Sequence, residues 1–211
     1  MSVTAEYKHS DELIDSGHPG IIRKIGELSG DSATDAELAG NIFYFIRDSI
    51  RYTFIPRFDS DDYRASSILK SSRGFCTQKA ILFCALARCA GLPAGIHFYD
   101  IVDHSLPDEA TAMLKTNTFY RHGIAELYID DAWRQYDATL DSTLVERNGL
   151  RPVEFDAGAD CLMHETTLDG SAHISYIKDH GRTSRVSFDE IMSWFRLYYP
   201  HIHPDHLKWR H

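Results

Sequence analysis

Four side chains of this chain can act as thiol nucleophiles, at positions 76, 84, 89 and 161. Only Cys76 stands where a thiol would ionise. The segment SSRGFCTQKAILFCALARCAGLPA (71–94) places it just after a Gly-Phe pair and just before a long apolar run. A helix that starts at Cys76 or Thr77 aims its free N–H groups and the positive end of its dipole at the sulfur, which favours the thiolate. Gly74 lets the backbone bend there and lets a substrate come close. Cys84 and Cys89 lie deeper in the apolar run, where a thiol is an inert small hydrophobe, and Cys161 lies in a loop-like stretch. Placement alone leaves Cys76 open to two readings, a nucleophile or a further buried small residue.

A thiol nucleophile needs a base, and the base needs a group that orients it. The chain has twelve histidines, so a histidine by itself says nothing. His122 is set apart by its context, FYRHGIAELYIDDAWRQYDATLD (119–141). The run from His122 alternates, so that His122, Ile124, Glu126 and Tyr128 share a face. Asp130-Asp131 reads as a turn, and the returning strand carries Asp137. A hairpin symmetric about that turn sets His122 opposite Thr139, with Asp137 two positions away on the same face. Such diagonal neighbours stand ~7–8 Å apart at the backbone, within reach of a carboxylate and an imidazole, and a bulge brings them nearer. Asp141 is the rival acid but falls beyond the strand end. A histidine facing an aspartate across a hairpin also serves as a plain structural hydrogen bond.

The elements that must hold these groups can be read from periodicity. Ser32 to Ile50 predicts a helix, opened by a capping box of Thr34 and Glu37 and lined by Leu38, Ile42, Phe45, Ile46 and Ile50. RYTFI (51–55) predicts a short strand, and 56–64 a polar loop. The helix from Cys76 or Thr77 to Ala90 carries only Lys79 and Arg88 as formal charges and is apolar around most of its circumference, which predicts a buried helix. Gly91 stops it and Pro93 prevents its continuation. Strands are predicted at 94–102, 120–129, 132–139 and 173–177, and a last amphipathic helix at 187–199. Helices first, then mostly antiparallel strands, then a helix is an α+β architecture: a sheet packed on one buried central helix.

The chain has 211 residues with 43% hydrophobic and 25% charged content, the profile of one globular domain. It carries a net charge of −9 and no cluster of five Lys/Arg, which disfavours nucleic acid and membrane surfaces as partners. No apolar stretch approaches the ~20 residues of a membrane span. The first twenty residues lack the apolar core of a signal peptide. With three cysteines crowded into one predicted helix and Cys161 standing alone, a poor disulfide framework, this predicts free thiols and a cytoplasmic location. His201, His203 and His206 in HIHPDHLKWRH (201–211) could meet at a transition metal, but a solvated tail is the plainer reading, and no metal or organic cofactor is expected.

Three blocks in order resemble the transglutaminase-like superfamily, especially its small bacterial members of cysteine-protease type. FIRDSIRYTF (45–54) is similar to that family's Phe-Val-Arg-Asp-x-Ile-x-Tyr stretch, residues 65–94 to its cysteine block, and HGIAELYIDDAWRQYDATLD (122–141) to its histidine and aspartate block. The resemblance implies a papain-like core within one domain spanning 1–211, its core about 32–199. Cys76 matches the nucleophile, His122 the base and Asp137 the orienting acid. The family's Asp-Pro-Thr reads Asp-Ala-Thr at 137–139. VDHSLP (102–107) resembles a motif bearing Asn-His, with Asp103 in place of the Asn and His104 retained. The implied activity is hydrolysis or acyl transfer at amide or peptide bonds of a peptide, protein or other amide substrate, through a thioester acyl-enzyme. The Cys76 N–H and the Tyr52 hydroxyl are candidate oxyanion donors, and the loop 56–64 and the stretch 103–118 are expected to frame the cleft. The alternative is a non-catalytic module that keeps the fold and binds a peptide or protein.

Overall fold

The computed structural model describes residues 4–30 and 32–204. Its centre is the helix α4 (Cys76–Cys89), in which every residue from Cys76 to Arg88 is buried. That burial follows from a sequence apolar all round, and the polar exceptions are bonded to backbone. Gln78 accepts from the Phe75 N–H and donates to the Asp62 carbonyl. Arg88 donates to the carbonyls of Ala94, Ser184 and His9. Gly91 ends the helix at φ +87°, and the Leu92 N–H returns to the Ala87 carbonyl at 2.9 Å, the left-handed stop its position predicts.

One side of α4 meets an antiparallel sheet in the order β5-β4-β3-β6, built from β3 (Ala94–Asp103), β4 (Thr118–Ile129), β5 (Ala132–Tyr136) and β6 (Ile174–Thr183). The other side meets α1 (Pro19–Ser29), α2 (Asp35–Tyr44) and α3 (Ala65–Ser71). A two-stranded parallel ladder, β1 (Arg51–Tyr52) with β2 (Arg73–Gly74), leads the chain into α4. Helices α5 (Asp108–Leu114) and α6 (Ser142–Arg147) stand in the connections, and α7 (Phe188–Tyr198) packs on β4. This is the α+β arrangement of a central buried helix on an antiparallel sheet. Among the described residues no helix is long and apolar enough to cross a membrane.

Several elements depart from the sequence expectation. The helix over 32–50 is capped by Thr34 and Glu37 as predicted, but from Phe45 to Ser49 it widens into a π-turn, a feature that recurs at functional sites. The strand predicted at 132–139 leaves the ladder after Tyr136. There the Asp137 N–H turns to the Cys161 carbonyl at 2.8 Å, and the Cys161 N–H bonds the Gln135 carbonyl at 2.8 Å. The 173–177 strand runs on to Thr183. Helices α1, α3, α5 and α6 have no counterpart among the predicted elements. Helices α3, α5 and α6 run only six or seven residues, and α1 is capped by an atypical residue, the imidazole of His18 accepting from the Gly20 N–H.

Candidate active site

The turn at Asp130-Asp131 has φ +49° and +61° at its two central residues, the geometry of a tight hairpin turn. It sets the register in which Ala125 faces Tyr136, the register read from sequence symmetry. Continued past the ladder, that register brings Asp137 toward His122. A bulge completes the approach. Pairing of β3 with β4 slips between Tyr99 and Ile101, and Arg121 takes φ +57° just before His122. The Asp100 carboxylate accepts the Arg121 N–H at 3.0 Å and so fixes the strained turn. A bulge at this point re-aims the following side chain. His122 Nε2 lies 2.7 Å from Asp137 Oδ2, with both residues buried.

The other partner arrives from the helix. Cys76 is the first residue of α4 and only 5% exposed. With Nε2 engaged by Asp137, Nδ1 is the ring nitrogen left for the thiol. Burial pushes the Cys76 thiol up, but the His122 charge, hydrogen bonds from His122 and the Gly123 N–H, and the Thr77 hydroxyl outweigh it and hold the pKa below the ordinary value. Burial works against a charged His122 too, yet the Asp137 carboxylate and the Cys76 thiolate raise it from 6.5 to about 10. Asp137 is likewise opposed by burial and held down by His122 and Thr139. Its oxygens accept from His122, from the Thr139 N–H at 3.1 Å and from the Tyr176 hydroxyl at 3.4 Å. The three groups together can hold a thiolate–imidazolium pair away from water, which is the state a thiol nucleophile needs.

Asp141 is not available as the rival acid. One oxygen caps α6 through the Leu144 N–H and the other accepts the Tyr52 N–H at 2.9 Å. The Tyr52 hydroxyl has no hydrogen-bond partner among the described residues; burial and the nearby Cys76 push its pKa well up, so it remains a neutral donor. Tyr52 and His122 line a cavity of about 330 Å³, together with Phe54, Phe119 and Thr139. The stretch 103–118 contributes Asp103, Ser105, Leu106, Pro107 and Ala110 to that cavity, as expected, whereas the loop 56–64 does not reach it. Arg57 and Asp62 of that loop line a separate space beside Gly74 and Gln78. Gly74 also serves differently than expected: a Cβ there would meet Gln78 Cβ at 2.9 Å, so the glycine admits the first turn of α4 rather than a substrate. His104 is exposed and bonds Ser175 at 2.9 Å. Among the described residues no group of three metal-ligating side chains comes together; His201 bonds the Met113 carbonyl, and His206 lies outside the described residues.

Two residues that sequence reasoning gave no role matter to the site. Gly123 follows His122, and a Cβ there would stand 3.0 Å from Phe98 Cε1 and 3.2 Å from Thr77 Cα. Glycine inside a strand marks such close approach, and that signal was present in the sequence. Lys79, one turn after Cys76, is fully buried and donates to the Thr139 carbonyl at 2.7 Å and the Arg47 carbonyl at 3.2 Å.

The family profile described as "Transglutaminase-like superfamily" matches residues 23–138. No curated protein matches the chain. Among solved structures, the chain is similar to a putative cysteine protease from Cytophaga hutchinsonii, at a TM-score of 0.51 and 16% identity over 87% of this chain and 55% of that one. A putative protease from Parabacteroides distasonis aligns at a TM-score of 0.43 and 16% identity, over 65% of this chain and 26% of that one. The chain therefore spans about half the length of the first of these proteins and about a quarter of the second.

Two outcomes follow from this geometry. Gly123→Ala should cost about 1–3 kcal/mol in urea unfolding, because the Thr77 backbone cannot give way to the new methyl. The second concerns pH. The raised His122 contributes stability in full below 6.5, lost as the pH climbs through about 10. The lowered Cys76 contributes in full above 9.0, its ordinary value, lost as the pH falls through its lowered one. Between the lowered Cys76 value and 9.0 its rising contribution offsets the falling one of His122, and above 9.0 only the His122 loss remains. The stability gap between wild type and a Cys76→Ala/His122→Gln double variant should therefore shrink as the pH rises from 9.0 through about 10; a gap that stays level or widens over that interval contradicts the pair.

Proposed function

The chain belongs to the transglutaminase-like superfamily, and from that premise we propose that it is a thiol enzyme acting on amide bonds by acyl transfer. The Cys76 thiolate attacks the amide carbonyl while the Cys76 N–H and the Tyr52 hydroxyl donate to the developing oxyanion. His122, already an imidazolium, gives its proton to the departing amine. The acyl group is left as a thioester on Cys76. His122, now neutral, takes a proton from water, or from a second amine, as that nucleophile attacks the thioester, and the thiolate is released. Asp137 orients the ring throughout and stabilises its charged form. The single observation that carries this reading is the buried contact of His122 with Asp137 at 2.7 Å, with Cys76 drawn to the same ring. What sets this pair apart from the buried His97–Glu126 and His180–Asp100 pairs is the thiol of Cys76 at the same ring.

The acyl side of the substrate is apolar on this reading. Leu106, Leu140, Leu144, Leu150, Met163 and Ile174 are apolar members of the wall of the cavity beside His122. Asp103 turns one oxygen to the Ser105 hydroxyl and N–H at 2.8 Å, and Arg147 sits exposed at the rim. A leucine or phenylalanine side chain entering this space gains the ~1.5–3 kcal/mol of its burial; a carboxylate entering the same space loses its hydration.

Incubation with p-nitrophenyl esters of N-acylated amino acids tests both points by intact mass. One acyl group should appear on the wild-type protein and be absent from Cys76→Ala. It should form about tenfold faster with leucine or phenylalanine than with aspartate, the factor that 1.4 kcal/mol supplies. Acylation that survives in Cys76→Ala, or none in wild type, contradicts the enzyme reading; equal rates contradict the apolar acyl pocket.

A further inference from the structure

Helix α4 is apolar all round, yet it carries a fully buried lysine three residues after Cys76. An ammonium is costly to take out of water, and an apolar residue of similar volume often serves stability better. Among the described residues no carboxylate lies within ion-pair distance of Lys79 Nζ. Its contacts are two backbone carbonyls, Thr139 at 2.7 Å and Arg47 at 3.2 Å. The first belongs to the segment that carries the acid: the Thr139 N–H bonds Asp137 Oδ1 at 3.1 Å. The second belongs to the π-turn that follows α2.

We propose that Lys79 is a positioning residue of the candidate active site, its side chain tying the 137–141 segment to the nucleophile helix so that Asp137 meets His122 in the geometry that activates Cys76. The inference rests on the Cys76–His122–Asp137 reading. The tie explains why Asp137 is correctly placed although β5 has left its ladder by that residue: the segment is held by Cys161 on one side and by Lys79 on the other. Asp141 belongs to the same arrangement, since it caps α6 and holds the Tyr52 N–H. The charges that face Lys79 are Asp141 and Asp137 from the acid segment and Asp48 and Arg47 from the π-turn. Burial pulls the lysine down from 10.5, the three carboxylates resist and Arg47 assists, leaving it at about 7. Lys79 thus changes charge near neutrality, where His122, raised to about 10, stays protonated.

The experiment is the rate of Cys76 alkylation by iodoacetamide from pH 5 to 9, read by peptide mass spectrometry in wild type, Lys79→Met and Lys79→Arg, with thermal unfolding measured alongside. Wild type should react well below the ordinary thiol range, with a step in its profile near pH 7. Lys79→Met should stay folded, react about tenfold more slowly at pH 6, the effect of one pKa unit on the thiolate fraction, and lose the step. Lys79→Arg keeps a cation that does not titrate, so it should retain the rate at pH 6 and also lose the step. A folded Lys79→Met with the wild-type rate and profile overturns the proposal while leaving the triad intact. Should Lys79→Met not fold, Lys79→Arg decides: a persisting step overturns the proposal. A wild-type Cys76 with no activation at all removes the triad reading and the proposal with it.

Discussion

A thiolate and an imidazolium can face each other out of water only when each is met by partners on its remaining sides. On the proposed function, that requirement organises this molecule. The sulfur receives the N-terminus of α4, the Gly123 N–H and the Thr77 hydroxyl. The imidazolium receives Asp137, and Asp137 in turn receives Thr139 and Tyr176. These groups come from four parts of the chain: α4, β4, the segment 137–139 and β6. The site is therefore complete only when helix, hairpin, bulge and the β6 edge are packed together, and the buried apolar face of α4 is what draws them together.

Two spaces adjoin the candidate site, both walled in part by Phe54 and Phe119. Phe54, Phe75, Phe119, Phe195 and Tyr199 close on Cys76 in the smaller, a tight aromatic space of about 20 Å³. Phe54 meets Phe75 and Phe119 edge to face, with centroids 5.6 and 5.8 Å apart, which keeps water from the thiol without offering a competing hydrogen bond. The larger cavity, with His122 on its wall, shares Phe54 and Phe119 with that space. On the proposed reading, a substrate would enter the larger cavity and reach His122 along a wall with many apolar members.

Much of this was legible in the chain itself. The apolar circumference of 76–90 specified a buried helix, and alternation on either side of Asp130-Asp131 specified the hairpin register, so counting residues put Asp137 within reach of His122. What could not be read were features decided by tertiary partners. The bulge at Arg121 depends on Asp100 of the neighbouring strand. The departure of Asp137 from its ladder depends on Cys161, 24 residues further on in sequence. Gly74 looked like an approach for substrate, but its space is filled by Gln78, because only packing reveals which neighbour a glycine admits. Lys79 was visible as one of two charges in an apolar helix, and nothing local told that its ammonium would cap the Thr139 carbonyl.

The charge state of His122 is the quantity on which all of this depends, and it is directly observable. NMR of protein carrying ¹⁵N-labelled histidine, titrated from pH 5 to 10.5 in wild type and in Cys76→Ser, gives the protonation of each ring nitrogen. A His122 that remains an imidazolium at pH 8 in wild type, titrating near 10, and that titrates lower once the sulfur is replaced, establishes the ion pair. A His122 that is neutral at pH 8 and indifferent to the replacement contradicts it, and with it the case for a thiol enzyme.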